Sequence, residues 1–226
     1  MSQITNLAYF YERSRKVRGG RSVWVKDSNG ENRKNVLLGG TILNPNKGFG
    51  HLWAAQLVQY TPAEGCLIFR SFEVKTNATS SSTTIYLKGD GYSDAPEAGM
   101  VIMVAPNTAT TTGQSAVISA VEYDAANEQF RVTLAAALGE LTAGDILVEA
   151  TGTTASASAT VLVPNPNTFI EADVDLLPTE GYGLDGTANY SISTVHDKEA
   201  WIVKMQPLPD YVLAKNRSYI EGIFWI

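Results

Sequence analysis

The chain has one cysteine, Cys66, and two histidines, His51 and His196, in 226 residues. A single cysteine excludes an internal disulfide framework. Within Gly65-Cys66-Leu67-Ile68-Phe69 it reads as a small buried hydrophobe. So few nitrogen and sulfur donors leave no set for a structural zinc site. A Ser–His–Asp device needs a base oriented by a third group. His196 and Asp197 are chain neighbours, whose side chains point to opposite faces of a strand, and no Gly-x-Ser-x-Gly elbow occurs. Charge is also scarce, at 18% of residues against a usual share of about 25%. No apolar run approaches the roughly 18 residues of a membrane span. The opening residues, Met1 to Asn6, lack the basic-then-apolar pattern of a signal peptide. These shortages predict a protein with no enzymatic role, no cofactor, no metal centre and no membrane partner.

Thr, Ser, Ala, Asn and Gly fill the place of the missing charge, a composition common in exterior β proteins. At this length a globule buries roughly 70–75% of its unfolded surface and holds a core without staples. Three stretches interrupt the apolar patterning: 76–84, 107–116 and 151–160, each rich in Ser, Thr and Ala. They read as loops or polar edge strands, because threonine keeps β-propensity while staying polar. Between them the period is two. Thr84–Lys88 runs into the turn-prone Gly89-Asp90-Gly91, and Met100–Val104 is a continuous apolar run suited to a strand buried on both faces. Ala116–Asp124 and Gln129–Leu134 flank Ala125–Glu128 as a hairpin, and Phe130–Leu134 alternates apolar and polar. Ala135–Leu138 is expected to form one helical turn, and Ile146–Glu149 the next strand. Five strands in about 65 residues predict a mainly β chain, with a small barrel or sandwich core over about 83–150.

One phrase occurs twice. Ala98-Gly99-Met100-Val101-Ile102 and Ala143-Gly144-Asp145-Ile146-Leu147 both set a glycine before an aliphatic run. A glycine there lets the chain turn tightly into a central strand, so the two copies predict equivalent corners of one barrel. Elsewhere the organisation reads as a basic N-terminal arm over 1–47, a barrel or sandwich domain over 48–160 and a β-rich C-terminal region over 161–226.

Charge is unevenly placed. Residues 1–47 hold nine Lys/Arg against three Asp/Glu, whereas 48–226 hold eight against twenty. The basic excess lies at Arg13, Arg15, Lys16, Arg18 and Arg21. The acidic remainder would repel phosphate and no stacking platform accompanies the run, so nucleic acid is not the expected partner. A docking arm against an acidic protein surface is the sharper reading, and a solvated segment the plainer one. At the other end, Ile223, Phe224, Trp225 and Ile226 form an apolar terminus. Exposing such side chains costs roughly 1.5–3 kcal/mol each, so the terminus belongs in the core or in a subunit interface. Glu171, Asp173 and Asp175 alternate along one strand face, as a solvated acidic row or, with backbone oxygens added, a Ca²⁺ site. Gly181-Tyr182-Gly183-Leu184-Asp185-Gly186 matches a dinucleotide fingerprint in letters only, since the residues after it read as β rather than as a helix.

Several phrases together carry a family likeness: Thr83–Tyr92, Pro96–Pro106, Val132-Thr133-Leu134 with Ala136–Gly139, Ala143–Ala150, and Asn165-Pro166-Asn167. Over roughly residues 30–177 the chain resembles the head fibre proteins of tailed bacteriophages, particularly phages of gut Bacteroidales. The resemblance implies a virion protein on the outer capsid, assembled in the host cytoplasm. It further implies contact with the major capsid protein or another virion protein, and a homo-oligomer, a trimer by preference. It designates no functional residue. The alternative expectation is a carbohydrate- or host-surface-binding β module, reading host glycans with aromatics such as Tyr92, Tyr182, Tyr190 or Trp201.

Overall fold

The structure, a computed structural model, describes backbone and side chains at 56–59, 67–89, 95–166 and 206–213. Elsewhere it describes only the strands named below, as backbone. The chain is mainly β, and the one helical turn among the described residues is at 210–213. It divides into two compact units. One gathers Met1–Ile68, Asn167–Lys204 and Ile220–Ile226; the other gathers Phe69–Pro166 and Met205–Tyr219.

The first unit carries three sheets. Strands β1 (Trp24–Lys26), β2 (Lys34–Thr41), β3 (His51–Leu52), β4 (Leu57–Thr61) and β5 (Gly65–Ile68) come from its first segment. Strands β12 (Thr168–Ile170), β13 (Val174–Asp175), β14 (Asn189–His196) and β15 (Ala200–Ile202) come from its second, and β16 (Phe224–Trp225) from its last. Their orders are β2-β14-β12-β4-β5, β1-β15-β16 and β13-β3. The β2–β14 ladder runs unbroken from Lys34 opposite His196 to Thr41 opposite Asn189.

The second unit is a six-stranded antiparallel sheet of order β6-β11-β8-β9-β10-β7. Its strands are β6 (Ser71–Glu73), β7 (Thr84–Lys88), β8 (Val101–Val104), β9 (Ser115–Asp124), β10 (Gln129–Leu134) and β11 (Ile146–Glu149). Three strands, β8, β9 and β10, follow one another as neighbours, and β11 returns to lie beside β8. That order is a Greek key. The alternation expected for β10 is observed: Phe130, Val132 and Leu134 are buried while Arg131 is exposed. Continuous burial of Val101, Ile102 and Met103 likewise places β8 in the centre of the sheet. Strand β9 serves both halves. Its first residues pair with β8, as Ser115 with Met103 and Val117 with Val101. Beyond Ile118 it pairs with β10, where a register shift between Thr133 and Leu134 leaves Ser119 as an extra residue. Such a bulge bends a strand and raises its twist, so one strand turns the corner between two half-sheets.

The two copies of the repeated phrase fold alike. Gly99 and Gly144 have φ of 95° and 97°, the third position of turns closed by Met100 N–H to Glu97 O (3.2 Å) and Asp145 N–H to Thr142 O (3.0 Å). Each glycine N–H then donates to a neighbouring strand, Gly99 to Ile118 O and Gly144 to Val74 O, both at 2.8 Å. The partner residue returns the bond to the next carbonyl, Ile118 to Met100 O and Val74 to Asp145 O. A Cβ at either glycine would meet nothing within 4 Å, so only the backbone requires glycine. Gly99→Ala and Gly144→Ala should therefore each lower stability by about 1–2 kcal/mol, the cost of a left-handed non-glycine residue. Urea midpoints of the two variants check this, and a loss at one corner but not the other would refute their equivalence.

Two expectations are corrected. The six-stranded sheet does not close into a barrel. Its edge strands β6 and β7 meet at a single bridge, Val74 with Leu87, and at Lys75 N–H to Tyr86 O (2.8 Å). The ladder stops there because the chain is drawn aside: Ala78 exchanges two backbone bonds with Leu141, and Asn77 Oδ1 accepts from Ala143 N–H. The helical turn expected at Ala135–Leu138 is also absent. Ala135 N–H is committed to Val117 O at 2.8 Å, and Gln114 Nε2 reaches the Ala137 carbonyl, so the segment runs on beside β9 instead of coiling.

A distant segment completes this unit. Gln206, Leu208, Tyr211 and Val212 are buried. Gln206 Nε2 donates to Phe69 O (3.3 Å), Ser71 Oγ donates to Pro207 O (2.5 Å), and Tyr211 Oη donates to Val163 O (3.4 Å). Burial pushes the Tyr211 hydroxyl pKa well above its usual value. Pro207 and Pro209 carry no N–H, so the segment covers β6 without extending its ladder, one way an edge strand is kept from pairing further.

Candidate functional surface

Two of the three Ser/Thr-rich stretches are brought together. Gly113 and Ala159 exchange backbone bonds of 2.9 Å in both directions, and Ser115 N–H donates to Ser156 O at 2.8 Å. Ser156 N–H in turn reaches Ser115 Oγ at 3.0 Å. At the base of the third stretch, Thr151 N–H donates to Thr160 O at 2.8 Å. Around Thr108 the hydroxyls bond among themselves, Thr108 Oγ1 to Thr111 Oγ1 at 2.7 Å. What composition alone marks as loops is thus a tethered, exposed surface made of residues 107–114 and 151–158. Ala109 is the buried anchor of the 107–116 stretch and Ala159 of the 151–160 stretch. No Asp, Glu, Lys, Arg or His lies anywhere in 98–121 or 150–170. Val104, at the end of β8, is the exposed large hydrophobe among the described residues.

Charge collects elsewhere in the unit. Arg70 and Glu97 are buried, with Nη2 and Oε1 3.5 Å apart. Met100 Sδ lies between them, accepting from Glu97 N–H (3.1 Å) and from Arg70 Nη1 (3.5 Å). The register that sets Ser71 opposite Val148 carries Arg70 to the level of Glu149, which is also buried. On the solvated face, Lys88 pairs with Glu73, while Arg131 pairs with Glu122 at 2.8 Å. Lys75 Nζ reaches the Asn127 carbonyl of the β9–β10 turn. The exposed pairs contribute little each, but those from β6 and from Lys75 reach toward the open side of the sheet.

The β9–β10 turn is organised by Asp124. Its Oδ1 accepts from Ala126 and Asn127 N–H, at 3.1 and 3.2 Å, and its Oδ2 from Asn127 Nδ2 and Gln129 Nε2, at 2.6 and 3.1 Å. The Asn127 side-chain bond is the largest effect on this carboxyl and lowers its pKa; desolvation opposes it, and the Asn127 backbone, Gln129 side-chain and Ala126 backbone bonds add to the lowering, so the group lies below the usual aspartate value. A depressed carboxyl stabilises the fold above the unfolded-state value of about 4, and the contribution is lost as pH falls through the folded value. The stability gap between the protein and its Asp124→Asn variant should therefore be constant near neutrality and shrink in acid. Urea midpoints measured across pH read it directly, and a gap that widens in acid would contradict the assignment.

Of the residues singled out from sequence, Arg13, Arg15, Lys16, Arg18 and Arg21 lie outside the described residues. So do Ile223, Ile226, Glu171, Asp173, Tyr92 and the glycine-rich 181–186 segment. Phe224 and Trp225 form β16, which pairs in parallel with Trp201 and Ile202 at the edge of a three-stranded sheet. Asp175 stands opposite His51 in the β13–β3 pair, and His196 opposite Lys34. Among the described residues no three His, Cys, Asp or Glu converge as a metal site, and no helix is long and apolar enough to cross a membrane.

Sequence reasoning missed the Arg70–Glu97 pair. Its signal was a lone arginine inside Leu67–Phe72, a run otherwise apolar but for Ser71. It also missed the joining of the second and third Ser/Thr-rich stretches, for which shared composition was the one hint. Comparison with protein-family models and with curated proteins finds no match for this chain.

Proposed function

We propose that this chain is a non-enzymatic structural protein of a phage virion, a head fibre or decoration protein on the outer capsid, assembled in the host cytoplasm. The observation that carries the reading is the use made of the Ser/Thr-rich stretches. They are built into the scaffold by paired backbone and left exposed, as suits a protein whose surface rather than a cleft does its work. The resemblance of residues 30–177 to phage head fibres supplies the address. In this reading the six-stranded unit is the scaffold that presents the exposed stretches, while the basic residues Arg13, Arg15, Lys16, Arg18 and Arg21 dock against an acidic patch of the capsid.

The test uses the full chain. Protein incubated with phage capsids prepared without it should co-sediment with them. Replacing the five basic residues by glutamine should weaken that binding and its salt dependence together, since an exposed ionic contact is screened by salt. Full decoration by the glutamine variant would overturn the docking arm, and protein left in the supernatant at every concentration would overturn the virion reading.

A further inference from the structure

We infer that residues 206–213 are a conformational clasp: a strap that leaves β6 as one piece while the six-stranded sheet stays folded, and whose seating is coupled to the pairing of the C-terminal strand β16. The first observation is how the strap is fastened. Its backbone–backbone bonds among the described residues are internal, from Val212 and Leu213 N–H to Pro209 O at 2.9 and 3.1 Å, and they belong to its own helical turn at 210–213. Pro207 and Pro209 have no N–H to offer a ladder. The strap is therefore seated by side chains. Leu208, Tyr211 and Val212 are buried, and two polar fastenings meet on one hydroxyl of β6. Ser71 Oγ donates to Pro207 O at 2.5 Å and accepts from Gln206 Nε2 at 3.4 Å. Strands β6 and β8, by contrast, are both laddered to β11. A piece with internal bonds of its own and no ladder to break opens at a free energy below that of global unfolding.

The second observation is the strap's place in the chain. It lies between β15 and β16, which are parallel neighbours, Trp201 opposite Phe224 and Ile202 opposite Trp225. Parallel neighbours need a crossover of about a dozen residues or more. Here the crossover is 203–223, and its middle is seated in the other unit. Two residue pairs at a sheet edge are a weak hold, so the length of chain closed behind them matters. With the strap seated, the stretch closed on the way to β16 is 214–223. With the strap released it is 203–223, about twice as long, and doubling a closed stretch makes closure about threefold less frequent. Linkage makes the effect mutual, so unpairing β16 loosens the strap by the same factor. The fold thus holds a route by which a change at the C-terminal strand is felt at β6.

The clasp stands apart from the virion reading and has its own test, hydrogen exchange of the full chain followed by mass spectrometry in low urea. The amides of 211–213 should exchange faster than those of β8 and β10. Their exchange should also depend less on urea, because opening the strap exposes less surface than unfolding the sheet. Ser71→Ala, which removes the shared hydroxyl, should raise strap opening about tenfold. Phe224→Gly with Trp225→Pro, which unpairs β16, should raise it about threefold. The far-ultraviolet circular dichroism spectrum and protected β8 and β10 amides would show that the six-stranded sheet of that variant is folded. Strap amides that share the rate and urea slope of β10 would overturn the clasp, as would unchanged strap exchange in Ser71→Ala. A strap that opens no more often in the folded β16 variant would overturn the coupling.

Discussion

Replacing Arg70 by alanine should cost the second unit about 3–5 kcal/mol, enough to consume much of the stability of a domain this size. The magnitude follows from burial. Arg70 and Glu97 have side chains 3% and 7% exposed, so little solvent screens either charge. Without the guanidinium, the Glu97 carboxylate loses its ion partner in a low-dielectric site, and Glu149 loses a cation on the adjacent strand level. Losing one member of a buried pair is far worse than never having built the pair. Hence Glu97→Gln, which keeps the shape and a hydrogen-bonding group, should cost less than Arg70→Ala. Arg70→Met combined with Glu97→Gln should regain part of the loss. The readout is the urea midpoint with its slope; a midpoint for Arg70→Ala within about 1 kcal/mol of the parent would mean that the pair is solvated in solution.

That pair also shows where local reading ends. Strands β7 to β11 were legible because each carries its own period, and alternation or continuous burial is written in neighbouring residues. The Phe130–Leu134 alternation and the Ala125–Glu128 turn fall where their letters put them. The glycines of the repeated phrase were legible too, since the requirement for positive φ is local. What was not legible depends on partners far away in the chain. Nothing near Arg70 names Glu97, and nothing in 107–114 names 151–158. The mistaken helical turn at Ala135–Leu138 has the same origin. Alanine and leucine favour a helix in isolation, but the Ala135 N–H is taken by Val117 O across the sheet. The barrel expectation failed on a similar competition, because residues 76–78 leave the β6–β7 seam to pair with 141–143. The composition of the candidate surface was therefore visible from the start. Its being one surface was not.

The second large effect is expected at Phe130. Its ring is 2% exposed and stands in the centre of the half-sheet, opposite Leu87 on β7 and Tyr123 on β9. The Phe130 and Tyr123 rings lie 5.1 Å apart at 48°, within the range of favourable aromatic pairs. Tyr123 in turn donates its hydroxyl to Gly89 O at 3.1 Å. Gly89 leaves no room for a larger residue, since a Cβ there would come within 2.8 Å of the Tyr123 ring and 3.2 Å of the Gln129 backbone. A ring so enclosed cannot be replaced by collapse of its neighbours, so Phe130→Ala should cost about 3–5 kcal/mol, with a residual cavity included. Tyr123→Phe, which keeps the ring and loses the hydroxyl, should cost only about 0.5–1.5 kcal/mol. A double-mutant cycle of Phe130→Ala with Tyr123→Ala separates the ring contact, expected at about 0.5–1.5 kcal/mol, from the burial of each side chain. Coupling near zero would mean that the ring contact adds nothing beyond the burial of each side chain, and that the backbone ladder from Gln129 opposite Asp124 to Leu134 opposite Ile118 holds β9 and β10 together without it.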